Sequence, residues 1–117
     1  LSVYHGIDIA LDTFPYNGIT TTCEALWMGV PVVTLAGDRF VAREAAGIVT
    51  RCDHPGWVAS TPEDYVGKAK SLSSDPLRLA GIRLSLRTDF QQSPLHDPSR
   101  LAGEMHRFLS GLFPANT

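Results

Sequence analysis

Cysteine is scarce: the chain of 117 residues has two, Cys23 and Cys52, in no C-x-x-C spacing. Neither a disulfide framework nor a thiolate metal site is indicated, and a reduced intracellular setting is the default. Basic charge is also lacking, with 10 Lys and Arg against 12 Asp and Glu and a formal net charge of −2. Nothing here tracks a phosphate backbone, so no nucleic-acid partner is expected. No apolar run approaches the length of a membrane span, and no charged-then-apolar leader opens the sequence. The expected location is therefore cytoplasmic, away from membranes. Charged residues make up 19% and hydrophobic residues 44%, the balance of a globular domain.

What is present is an ordered succession of element signals. Ile7 to Leu11 and Val32 to Leu35 are β-rich runs too short for helices and bounded by turn residues. Between them, Thr20 to Met28 has helix-forming content, with Gly29 and Pro31 as the stop. Strand, helix and strand in that order predict a parallel β-α-β unit. A helix over Val41 to Val49 is predicted from Val41, Ala45, Ile48 and Val49 at helical spacing, and a brief edge strand from Trp57 to Ala59. Thr61-Pro62, Asp75-Pro76 and Asp97-Pro98 each pair an N-cap residue with proline at the first helical position and predict three helices. In the last, Leu101, Met105, Phe108, Leu109 and Leu112 form a stripe that should cover something apolar.

The fold class is thus α/β: a parallel β-α-β region over residues 1–59, followed by a C-terminal helical region of the same domain over residues 60–117. Two strands and a brief edge make a poor sheet, since stable α/β domains have more strands with both faces covered. Further strands are expected upstream of Leu1, and the sequence reads as part of a longer one. An edge left unpaired in their absence would favour self-association.

The most distinctive stretch is "DTFPYNGITTTCEALWMGVPVVTLAGD", Asp12 to Asp38. Ligands of open α/β sheets bind beyond the carboxyl ends of strands, where loops lead into helix N-termini that offer free N–H groups to an anion. Gly18 would admit close approach, and Thr20, Thr21 and Thr22 would add hydroxyls. On pattern alone, Thr21-x-x-Glu24 also reads as a capping box needing no ligand, and Pro15-Tyr16-Asn17-Gly18 as ordinary turn chemistry.

Glu24-Ala25-Leu26-Trp27-Met28-Gly29-Val30-Pro31-Val32-Val33 resembles the E-A-L-x-x-G-x-P-V-V segment of glycosyltransferases with two Rossmann domains (GT-B). Asp8 to Arg39 is more specifically similar to bacterial relatives of the protein O-GlcNAc transferase family, which includes SPINDLY-like proteins; "STPEDYVGKA" and Ser93-Pro94-Leu95 agree. The resemblance implies the C-terminal part of a catalytic region downstream of tetratricopeptide repeats, with residues 1–59 as a partial Rossmann-like nucleotide-binding region. It places a UDP diphosphate against Thr20, Thr21 and Thr22 and the ribose against Glu24, with Asn17 and Gly18 shaping the approach. It further implies a UDP-GlcNAc or related nucleotide-sugar donor, a protein acceptor, an upstream Rossmann domain and no metal cofactor. Where relatives carry histidines, this chain has Ile19 and Phe40. The implied reaction is sugar transfer to Ser or Thr hydroxyls; the other reading, which those two apolar residues favour, is a scaffold domain that binds no nucleotide.

Elsewhere no functional role is expected. The four histidines show no metal-ligand spacing and read as surface residues; Cys23 reads as a small buried side chain. Trp27 is assigned to the core, and Arg78, Arg83 and Arg87, at steps of five and four, to solvent. No general base is nominated.

Overall fold

The computed structural model describes residues 1–113. Three short parallel strands form its sheet in the order β1 (Ala10–Leu11), β2 (Val32–Leu35) and β3 (Val58–Ala59). Ala10 pairs with Val32 and Leu11 with Val33 on one side, and Thr34 with Val58 and Leu35 with Ala59 on the other. Helix α1 (Thr20–Trp27) connects the first two strands, and α2 (Glu44–Arg51) the second two. Helices α3 (Pro62–Ser73), α4 (Pro76–Gln92) and α5 (Pro98–Leu112) follow.

Central β2 carries consecutive buried residues, Val32, Val33 and Thr34, as expected for a parallel strand covered on both faces. Around it, Ala25 and Leu26 of α1, Val49 of α2, Leu72 of α3 and Leu86 and Phe90 of α4 join Cys52 and Trp57 in one core. Helix α1 has only eight residues, too few to be stable alone in water, so its packing holds it in place.

It ends in a Schellman motif. The Val30 N–H donates to the Ala25 carbonyl at 2.8 Å and the Gly29 N–H to the Leu26 carbonyl at 3.1 Å, which requires a left-handed residue at the turn. Gly29 supplies it at φ +79°, and a Cβ there would lie 2.6 Å from the Arg83 backbone oxygen. Gly29→Ala is therefore expected to destabilise the fold by about 2 kcal/mol or more, read as a lower denaturation midpoint.

All three proline-led starts are capped as expected: Thr61 accepts from the Asp64 N–H at 3.0 Å, Asp75 from the Arg78 N–H at 3.1 Å and Asp97 from the Arg100 N–H at 2.9 Å. Other expectations need correction. The first ladder covers Ala10 and Leu11 rather than Ile7 to Leu11, because its partner β2 begins only at Val32, opposite Ala10 and directly after Pro31. The helix expected over Val41 to Val49 is a 3-10 turn, Phe40–Ala42, and then α2 from Glu44; the break lies at Arg43, at φ −129° and ψ −3°. Trp57 belongs to a 3-10 turn ahead of β3.

The three arginines also differ from expectation. Arg78 is exposed, but Arg83 donates to the Ile7 carbonyl and faces Asp8 at 3.7 Å. Arg87 donates to the Trp27 carbonyl at 2.6 Å, its guanidinium 5.1 Å from that ring. These two tie α4 to the start of the chain and to the end of α1. Trp27 packs against the core, edge-on to Phe90 at 5.9 Å. The apolar stripe of α5 covers nothing among the described residues: its five members are 47–67% exposed.

Candidate functional site

Beyond the carboxyl end of β1 the chain loops from Asp12 to Ile19 and enters α1. The first helical hydrogen bond runs from the Cys23 N–H to the Ile19 carbonyl at 3.0 Å, leaving the N–H groups of Thr20, Thr21 and Thr22 ahead of the ladder. The N-cap is Ile19, with no side-chain cap. Thr21 and Glu24 therefore do not form the capping box: Thr21 lies one residue inside the helix, and Glu24 accepts from the Tyr4 hydroxyl at 3.4 Å.

A depression of about 150 Å³ opens here, lined in part by Tyr4, Asp12, Gly18, Thr21 and Thr22. Of the six residues expected at the site, Gly18, Thr21 and Thr22 share this lining. Thr20 is exposed beside them, and Glu24 reaches the rim through Tyr4. Thr22 is itself buried, its hydroxyl donating to the Gly18 carbonyl at 2.7 Å.

Asn17 has a different position. It is 2% exposed, and its side chain donates to the Thr13 carbonyl at 3.0 Å and accepts the Ala45 N–H at 3.3 Å. Its backbone N–H donates to the Val41 carbonyl at 2.9 Å. Asn17 thus caps α2 and joins the two loops at this end of the sheet, so any contribution to ligand approach is through loop shape. Sequence reasoning gave no role to Asp12, whose carboxylate accepts the Gly18 N–H at 2.9 Å and the Thr34 hydroxyl at 2.8 Å. An aspartate directly after a β-rich run and before the turn was the available signal.

Ile19 is 49% and Phe40 79% exposed, and both line a neighbouring pocket of about 320 Å³ together with Ile48, Leu95 and the charged Arg43, Glu44 and Arg51.

The cysteines are free thiols, Cys23 half-buried and Cys52 buried. Burial raises the Cys23 thiol, and Glu24 raises it further. Burial likewise pushes Cys52 up to about 11. Neither is a thiolate nucleophile near neutral pH. His54 is not a loose surface residue: it meets Asp89 at 2.9 Å and stacks on Trp57 at 3.9 Å. Among the described residues no group of three or more His, Cys, Asp or Glu is placed to hold a metal, and no helix is long and apolar enough to cross a membrane.

Residues 4–105 match the family model described as Glycosyl transferase family 41. The chain belongs to glycosyl transferase family 41. Among family members, it is 39% identical over 123 residues to the probable UDP-N-acetylglucosamine–peptide N-acetylglucosaminyltransferase SPINDLY of Hordeum vulgare, covering 98% of this chain and 13% of that protein. The UDP-N-acetylglucosamine–peptide N-acetylglucosaminyltransferase of Caenorhabditis elegans is 34% identical over 113 residues, covering 90% and 10%. In structure, a mutant O-GlcNAc transferase from Thermobaculum terrenum aligns with TM-score 0.80 at 37% identity, over 91% of this chain and 21% of that one. The chain thus spans a small part of the family 41 proteins it matches, and the parallel α/β fold agrees with the family assignment.

Proposed function

We propose that this chain is the nucleotide-sugar-binding part of a longer glycosyltransferase that moves GlcNAc, or a related sugar, from a nucleotide-sugar donor to Ser or Thr of proteins. The observation that carries this reading is the family 41 match over residues 4–105, together with Gly18, Thr21 and Thr22 around one depression at the carboxyl end of β1. A diphosphate there would accept from the leading N–H groups of α1, which carry the positive end of the helix dipole. Tyr4 and Glu24 stand on one side as partners for a ribose. Charge building on the leaving diphosphate is what such donors stabilise. An upstream Rossmann domain, tetratricopeptide repeats, a protein acceptor, cytoplasmic location and self-association through edge strand β1 belong to the same proposal.

Titrating UDP against the full-length natural protein tests it: saturable binding is expected, and its absence would favour the scaffold reading suggested by exposed Ile19 and Phe40. Glu24 sharpens the test. Since among the described residues it caps nothing and has one side-chain hydrogen bond, from Tyr4 at 3.4 Å, Glu24→Ala is expected to cost under about 1 kcal/mol of stability. UDP affinity is expected to fall about tenfold, the scale of a lost hydrogen bond to a charged group. Calorimetric titration beside thermal melts measures both, and unchanged affinity would remove Glu24 from the site.

A further inference from the structure

Asp12 occupies a junction that the nucleotide reading leaves without a role. Its Oδ1 accepts the Gly18 N–H at 2.9 Å, its Oδ2 the Thr34 hydroxyl at 2.8 Å and its backbone carbonyl the Tyr65 hydroxyl at 2.9 Å. The three donors come from the loop entering α1, from β2 and from α3. Thr34 is fully buried in the central strand, so the carboxylate is anchored on the sheet and reaches towards the loop that enters α1.

Gly18 transmits this constraint. A Cβ at Gly18 would lie 2.3 Å from the Thr21 Oγ1 and 3.3 Å from the Thr22 Oγ1, and the Gly18 carbonyl accepts the Thr22 hydroxyl at 2.7 Å, so the loop is seated against the first turn of α1. The bond from Asp12 closes the chain from 12 to 18 into a ring and thereby sets where α1 begins.

We propose that Asp12 is a positioning residue of the phosphate site: anchored on Thr34, its side chain holds Gly18 so that the leading N–H groups of α1 face the depression. This rests on the nucleotide reading above. Asparagine separates position from charge, because its Oδ1 still accepts from Gly18 and its Nδ2 still reaches the Thr34 oxygen, whereas alanine loses both contacts.

The experiment compares Asp12→Ala, Asp12→Asn and a core control, Leu72→Ala, in the full-length natural protein, by UDP affinity and amide hydrogen exchange over residues 13–23. Asp12→Ala is expected to weaken UDP binding about tenfold and to accelerate exchange at Gly18 to Thr22. Asp12→Asn is expected to restore both, and Leu72→Ala to lower the melting temperature without changing the affinity of the folded protein. Wild-type affinity and exchange in Asp12→Ala overturn the role of Asp12, as does an asparagine variant as weak as the alanine one. Failure of the wild-type protein to bind UDP overturns the nucleotide reading instead and removes the phosphate site that Asp12 is said to serve.

Discussion

No sugar transfer is expected when the isolated 117-residue chain is incubated with radiolabelled UDP-GlcNAc and an acceptor protein. The depression at the start of α1 holds about 150 Å³, whereas small-molecule sites that enclose a ligand run to ~300–1,000 Å³. A nucleotide sugar would rest on this wall with most of its surface in water. Transfer also requires donor and acceptor to be oriented together, which supplies up to ~7–11 kcal/mol of barrier reduction, and one face of a cleft orients only one of them. Counts at the level of a Thr21→Val, Glu24→Ala control are the expected result. Turnover above that control would mean that all the catalytic groups lie within these residues.

The largest expected effect on stability is at Leu26. It is fully buried among Val30, Val32, Val33 and Leu86, where removing a large aliphatic side chain costs ~2–5 kcal/mol through lost burial and a residual cavity. Because α1 is held by packing rather than by its own length, Leu26→Ala should also loosen the turn that carries Thr20 to Thr22. Urea unfolding is expected to show a lower midpoint at similar slope. Leu26→Met, which nearly conserves volume, should cost under ~1.5 kcal/mol; equal losses in the two variants would mean that the site tolerates no change of shape, rather than that it lacks filling.

Much of the fold was legible because its signals are local. The caps at Thr61, Asp75 and Asp97 bond to N–H groups three residues on, and the Schellman turn at Gly29 is written within Ala25 to Val30. The placement of Gly18, Thr21 and Thr22 around one depression followed from strand, glycine and helix order. Contacts distant in sequence stayed hidden. Asn17 meets Ala45 across 28 positions and Asp12 meets Thr34 across 22; Arg87 reaches Trp27 across 60. No periodicity or propensity encodes such pairs, so the sequence shows neither the bond by which Asn17 caps α2 nor the junction that Asp12 makes with Gly18 and Thr34. Thr21-x-x-Glu24 has the spacing of a capping box without being one, because the helix begins at Thr20, one residue before the supposed cap.

Helix α5 has no buried residue, and the described residues extend 63 × 30 × 22 Å. In thermodynamic language, such a helix is not part of the cooperative unit that contains β2 and Leu26. Fifteen residues are at the margin of helix stability in water, so in the isolated chain its opening is governed by its own small free energy and not by that of the domain. A single melting temperature would describe the core alone, while the ellipticity due to α5 faded gradually beneath it.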